Sequence, residues 1–307
     1  MTSEPAGVSL RPTREEDLPR LTAFLADRFS RGWTPAEWQW KYRAIPGEAR
    51  SLVAVAASGE ILAHAGALCL PARLAGGEGS IWQLVDFAGA TEKRGLRPPL
   101  VELGRRLLAD LPRQWEASWI FGFPSARHFR LGERVFGYRP LVEVEERGGE
   151  IPQEPPAVRI DTSDSCGEWA EAVWDACGVS GVRRSAAFLN WRYYARPHRY
   201  YRFYRLFSGA VEGLAVFAFV GEEAWAAELW LPPAGRWYPS LLAVAADLRA
   251  SGLRRWRFWP PPAGLGLDGV LTALRVSFSG ERRFIGCRGD PGAEAGFYYA
   301  MGDWDLV

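Results

Sequence analysis

A seven-residue pattern occurs twice in this chain. It stands at Trp40-Lys41-Tyr42-Arg43-Ala44-Ile45-Pro46 and again at Trp191-Arg192-Tyr193-Tyr194-Ala195-Arg196-Pro197. Tryptophan, a cation, tyrosine, alanine and proline fall at matching positions, and the second copy lies 151 residues beyond the first in a chain of 307. The segments just beyond the two copies also match. Residues 51–68 and 202–218 both read as a strand, a Ser-Gly turn and a second strand, with the turns at Ser58-Gly59 and Ser208-Gly209. Solenoid repeats have periods of roughly 20–50 residues, so a period of half the chain means two copies of one domain.

The remaining pattern fills in each copy. In the first half a short strand at 8–10 precedes a helix carrying Leu18, Leu21, Phe24, Leu25 and Phe29 on one stripe. Thr13 with Glu16 three residues on predicts a capping box for that helix. A second helix opens near Thr34-Pro35, and the hairpin at 51–68 leads to an apolar strand over 80–90. A helix over 99–110, a strand over 119–123, a helix over 125–135 and a closing strand over 138–145 complete the half. The Gly-, Pro- and Glu-rich run 148–157 predicts a linker. The expected organisation is therefore a first domain over 1–147, the linker, and a second domain over 158–307 that repeats the order. Each half is expected to be mixed α/β, a twisted mixed sheet flanked by helices.

Bulk charge selects no partner, with 37 basic residues against 36 acidic ones. The three histidines and four cysteines have no metal-ligand spacing, so no metal is expected and the thiols read as free groups in a reducing compartment. The chain opens without a basic-then-apolar leader, and no apolar run reaches the length of a membrane span. A cytoplasmic protein is expected. The 15 tryptophans read as core fillers. The run Arg199–Arg205 alternates basic and aromatic residues, which suits single-strand stacking but equally a half-buried strand with its arginines facing water. The repeat assigns it to a strand, and no nucleic acid partner is expected.

Chemistry concentrates at Gln83–Leu108, where an apolar strand runs into a loop containing Arg94-Gly95 and then directly into an amphipathic helix. Backbone N–H groups at such a helix start, backed by the helix dipole, suit a pyrophosphate. Asp86 lies in the strand inside an apolar run, where burial would raise its pKa towards a base's useful range. Glu228 occupies a similar strand in the second half and is the weaker candidate.

This loop resembles the acetyl-CoA loop of the GNAT family of N-acyltransferases. Trp119–Pro140 resembles the same family's next unit, which ends in a glycine–aromatic pair, here Gly137-Tyr138. The opening Leu10-Arg11-Pro12-Thr13 and the closing Gly302-Asp303-Trp304-Asp305 also look like the family, and the doubled form is similar to the Fem-type aminoacyl-transferases. The resemblance implies two tandem GNAT-like acyl-CoA N-acyltransferase domains. It implies an enzyme moving an acyl group, acetyl above all, from acetyl-CoA or another acyl-CoA to an amine on a small molecule or peptide. Direct transfer is implied, by a monomer or homodimer.

The donor would lie on the first half, against Phe87, Ala88, Arg94, Gly95, Leu96 and Arg97, with Asp86 as the catalytic residue. The sequence departs from the family pattern at Arg97 and Pro99, where glycines would stand, and Pro98 and Pro99 have no N–H to offer a phosphate. Arg94 and Arg97 would compensate by charge. The family's usual tyrosine acid is replaced by Glu133. The second half, with Pro232-Pro233 in the corresponding place, would be structural or shape the acceptor site. The alternatives are a GNAT-derived scaffold without catalysis and a Fem-like transferase using aminoacyl-tRNA.

Overall fold

The structure is a computed structural model that describes residues 7–29, 32–74, 77–90, 99–111, 119–260, 267–289 and 297–304. The described chain forms two compact units. The first comprises 1–71, 80–141 and 285–291, and the second 72–79, 142–284 and 292–307. Each unit thus includes a piece from the other half of the sequence.

In the first unit, β1 (Val8–Pro12) pairs antiparallel with β2 (Glu48–Ala56), and β2 with β3 (Ile61–Leu74). The sheet continues through β4 (Gly77–Gly89) to β5 (Ile120–Gly122), which runs parallel to β4. Helices α1 (Leu18–Phe29) and α2 (Pro35–Tyr42) lie between β1 and β2 in sequence, and α3 (Pro99–Asp110) between β4 and β5. A short helix, α4 (Ala126–Leu131), follows β5.

Alternation on β3 explains the layering. Ala63, Ala65 and Ala67 point to one face, where their small side chains let Leu100, Leu103 and Leu107 of α3 approach closely. His64 and Gly66 therefore face the opposite side, towards α2. Thr34 caps α2 by accepting from the Glu37 N–H, and Pro35 occupies the first turn, where a missing N–H costs nothing. The Thr13–Glu16 cap expected for α1 does not form. Asp17 accepts from the Arg14 N–H and pairs with Arg11, while the Thr13 hydroxyl turns inward to Ser51, 2.7 Å away. A carboxylate already paired with arginine makes the stronger cap.

The strand β6 (Arg139–Glu150) extends further than the sequence pattern predicts. Its last residues, expected to begin the linker, pair antiparallel with β12 (Arg255–Phe258) of the second unit, Glu150 opposite Arg255. Gly148 and Gly149 serve here as strand residues because a Cβ on Gly149 would meet the Arg275 carbonyl at 2.9 Å.

The second unit repeats the first. After β7 (Asp161–Ser163), α5 (Trp169–Cys177), β8 (Ser180–Val182) and α6 (Ala186–Leu189), the strands β9 (Tyr201–Ser208), β10 (Val211–Val220) and β11 (Glu223–Trp230) form an antiparallel meander. Helix α7 (Tyr238–Ala250) then leads to β12, parallel to β11. Gly59 and Gly209, the turn glycines of the two hairpins, both adopt positive φ, at 85° and 63°.

Following α8 (Asp268–Ala273), strand β13 (Ser277–Arg288) gives its last residues to the first unit, where Gly286 pairs with Gly122 of β5. Most of β6 thus belongs to the second unit, and only the end of β13, from Ile285, to the first. The short β14 (Phe297–Tyr298) pairs with β8 inside the second unit. Along β9, Tyr201, Phe203 and Tyr204 are buried while Arg202 and Arg205 are half-buried and paired with Asp247 and Glu212. No helix of the described residues is long and apolar enough to cross a membrane.

The second unit has a fully buried charge cluster. Arg184 lies between Glu228, at 3.0 Å, and Asp303, at 2.6 Å. Removing one member of a buried ion cluster strands the others without solvent, which costs about 3–5 kcal/mol. Arg184→Met should lower unfolding stability by that order in urea titration, with the loss larger than for Arg202→Met, whose partner Asp247 is part-exposed.

Candidate functional site

The first unit contains a buried polar constellation built on the repeated Trp-Lys-Tyr triplet. The Tyr42 hydroxyl donates to Asp86 Oδ2 at 2.7 Å, and Lys41 Nζ lies 2.8 Å from the same oxygen. Both side chains come from the last turn of α2, and both are buried. Trp38, one turn earlier, stacks on Tyr42 with ring centroids 5.3 Å apart.

Asp86 reaches these partners because the strand breaks its own alternation. Trp82 and Leu84 pack with α3 on one face of β4, and strict alternation would send Asp86 to that face too. Instead Asp86 has φ of 53°, left-handed. This conformation costs an ordinary residue about 1–2 kcal/mol, and aspartate is among the few that visit it. The twist flips the sides of the residues after it. Asp86 turns to α2, and Phe87 packs with the α3 core near Gly104 and Phe136.

A second chain of hydrogen bonds reaches the same residue. His64 Nδ1 lies 2.9 Å from the Asp86 carbonyl oxygen, and Nε2 lies 2.9 Å from Ser51 Oγ. Ser51 in turn meets Thr13 Oγ1 at 2.7 Å and accepts from Trp38 Nε1 at 3.3 Å. Burial disfavours the imidazolium and pushes the His64 pKa below its ordinary value, with the Asp86 charge opposing.

Asp86 also lies just past the end of the β4–β5 pairing. Their parallel register covers Trp82–Leu84 against Ile120–Gly122, and β4 then runs on to Gly89 past the end of β5. Phe87 and Ala88 lie in this extension. Arg94, Gly95, Leu96 and Arg97 fall outside the described residues, between it and the start of α3 at Pro99.

The second unit carries the counterpart and closes it. Tyr193 donates to Glu228 Oε1 at 2.7 Å, as Tyr42 does to Asp86. β11 pairs in parallel with β12 over Glu223–Trp225, and a register shift precedes Glu228. Here, however, the chain's own last residues occupy the place. Tyr298 Oη lies 3.2 Å from Glu228 Oε2 and 3.3 Å from the Leu229 N–H, while Arg192 donates to the Gly302 carbonyl. A Cβ on Gly302 would collide with the Tyr193 hydroxyl and the Ala227 carbonyl. Burial raises the Glu228 pKa, with Arg184 opposing, and this weaker of the two sequence candidates is fully buried.

Three other residues with side chains able to move a proton stand apart from this constellation. His128 and Glu133 are exposed on the segment after β5, and Tyr138 is half-buried against Phe136 and Gly132. Burial raises the Tyr138 pKa. Among the described residues no three His, Cys, Asp or Glu side chains come together as a metal would need. The cysteines are free, and burial pushes the Cys166 and Cys177 thiols up to about 12. Sequence reasoning found Asp86 but passed over Lys41, Tyr42, Ser51 and His64, although the repeated triplet itself contained two of them.

No family profile matches the chain, and no curated protein does. Solved structures do. A GCN5-related N-acetyltransferase from Anabaena variabilis ATCC 29413 superposes with a TM-score of 0.65 at 10% identity, covering 92% of this chain and 72% of that one. One from Sphaerobacter thermophilus gives 0.55 at 15% identity, covering 94% and 97%. A conserved protein of unknown function from Enterococcus faecalis V583 gives 0.63 at 14%, covering 92% and 72%. The chain has the fold of the GCN5-related N-acetyltransferases, with mixed sheets flanked by helices as the sequence resemblance implies.

Two outcomes test the site's construction. Gly66 lies directly beneath the Tyr42 hydroxyl, so Gly66→Ala displaces Tyr42 and should cost about 1–3 kcal/mol in urea unfolding. His64 binds its proton less readily when folded than when unfolded. Its contribution is fully present above about pH 6.5 and is lost as pH falls from there towards the lowered native pKa. Between these limits wild-type stability should fall by up to about 1.4 kcal/mol per pH unit more steeply than that of His64→Phe.

Proposed function

We propose that the protein is an acyl-CoA-dependent N-acyltransferase whose donor site lies on the first unit. The observation that carries this reading is the left-handed conformation of Asp86 within β4. It is followed by a strand extension past the end of β5 and then by the start of α3, whereas the matching place in the second unit is filled by Tyr298 and Gly302. The fold's solved relatives named as acetyltransferases support the class of chemistry.

The described residues suit such a ligand. The extension at Phe87 and Ala88 presents backbone to an elongated amide-bearing chain, and α3 directs its N-terminal dipole at a pyrophosphate. In this reading Arg94 and Arg97 neutralise phosphate charge, with Gly95 and Leu96 between them. Bound acyl-CoA supplies the activated acyl group.

The protein's part in the transfer is to position and to move protons. The Phe87 N–H faces the carbonyl oxygen on which negative charge develops. Asp86 takes the proton that the attacking amine must lose. Lys41 and Tyr42 hold its carboxylate in place before that transfer. The amine belongs to a small molecule or peptide and attacks directly, without an acyl-enzyme: its nitrogen bonds the acyl carbon, the carbon–sulfur bond breaks and CoA leaves as the thiolate, and the second unit serves as structure.

Calorimetric titration with acetyl-CoA and with free CoA tests the proposal. Micromolar binding to wild type should weaken about tenfold or more in Arg94→Ala/Arg97→Ala, as expected for two charge-assisted phosphate contacts. Asp86→Asn should retain binding and lose acyl transfer in an amine screen. Absence of binding by folded wild type would overturn the enzyme reading and leave a scaffold built on the same fold.

A further inference from the structure

We infer that His64 is a positioning residue for the acyl carbonyl: by clamping the Asp86 carbonyl it aims the Phe87 N–H at the thioester oxygen of the bound donor. The inference rests on the acyl-CoA reading above and concerns a residue outside the donor-binding set.

Each hydrogen bond in the chain has a direction that chemistry assigns. A carbonyl only accepts, so the 2.9 Å contact between His64 Nδ1 and the Asp86 oxygen requires the proton on Nδ1. Nε2 of the neutral ring then accepts, and Ser51 must donate to it. With its one hydrogen committed, Ser51 accepts from Trp38 Nε1 and from the Thr13 hydroxyl. Every proton in the chain Thr13–Ser51–His64–Asp86 is thereby placed. Three separate elements, β1's exit, β2 and β3, combine to hold one peptide group.

That peptide is the one joining Asp86 to Phe87. It is planar and trans, so its N–H points opposite to its carbonyl. Fixing the Asp86 oxygen on His64 therefore fixes the Phe87 N–H facing away from His64. The restraint is needed because Asp86 is left-handed, and a flipped peptide would present a carbonyl oxygen where a donor is required.

The second unit supplies the contrast. In the second unit the matching stretch of β10, Leu214 to Val216, consists of buried apolar side chains with no hydrogen to donate. Among the described residues no positive φ accompanies Glu228. The clamp and the left-handed residue occur together in one unit and are absent together from the other. A purely structural role for the carboxylate would need neither, since the second unit seats its own under tyrosine without them.

The test compares acetyl-CoA with S-ethyl-CoA, a thioether of similar size that has no carbonyl oxygen, by calorimetry. One hydrogen bond to that oxygen predicts a wild-type preference for acetyl-CoA of about 2- to 10-fold. His64→Phe should abolish the preference and leave S-ethyl-CoA affinity within about twofold. His64→Asn keeps an N–H donor at the Nδ1 position and should restore the preference.

An unchanged preference in His64→Phe overturns the clamp, as does equal loss of both ligands. A wild type that binds both ligands equally overturns the clamp alone, and one that binds neither overturns the donor-site reading with it. A long-range 15N–1H spectrum of wild type needs no variant to fold. It should show His64 protonated at Nδ1 only, and protonation at Nε2 at neutral pH would overturn the assignment.

Discussion

Both units are built around a single buried hydrogen bond between a tyrosine and a carboxylate. Tyr42 donates to Asp86 and Tyr193 to Glu228, each at 2.7 Å. A buried carboxylate without partners is prohibitively costly, so its position is decided by where donors can meet it. The tyrosine in each case lies near the end of the helical segment that precedes the meander, and the carboxylate sits on the meander's third strand. This one contact ties helix to sheet at the point where the third strand parts from its parallel neighbour. Small residues beneath the phenol, Gly66 in one unit and Gly302 in the other, are consequences of it.

From that shared beginning the two units diverge in how they complete the charge. Asp86 is met by Lys41, from the same triplet as its tyrosine. Glu228 is met by Arg184, which also binds Asp303 near the end of the chain. The second arrangement recruits the C-terminal residues, and Tyr298 takes the Leu229 N–H in the strand's extension. One unit therefore closes its cleft with its own backbone and phenols, while the other keeps a left-handed peptide there under a histidine. Conformational strain that a neutral imidazole must restrain is a feature of working sites more than of cores.

Much of the architecture is legible in the residues. The two Trp-cation-Tyr triplets and the two Ser-Gly turns declare the duplication, and Ala63, Ala65 and Ala67 declare the face that receives α3. Asp86 stands out as a carboxylate in an apolar strand. Less visible is why it is tolerated there, because the partners of Asp86 lie 44 and 45 residues earlier in the chain and alternation assigns it to the wrong face. Thr13 illustrates the same limit. Locally it forms half of a capping box, yet its hydroxyl bonds Ser51, 38 residues away. The end of β6 read as linker because Gly148-Gly149-Glu150 resembles one, and only a closely approaching backbone makes glycine the fitting strand residue.

The sequence by itself determined what depends on local period and repetition: two copies of one α/β pattern, the order of their elements, the core faces, and the carboxylate-bearing strand with a helix after it. Tertiary structure decided what depends on residues far apart in the chain. It gave most of β6 to the second unit and the end of β13 to the first, flipped Asp86 at a left-handed φ to meet Lys41 and Tyr42, and set His64 against its carbonyl. It also sealed the second copy with the last residues of the chain. Strand partnering and peptide direction are set by which partners satisfy buried polar groups, and a one-dimensional pattern does not record that choice.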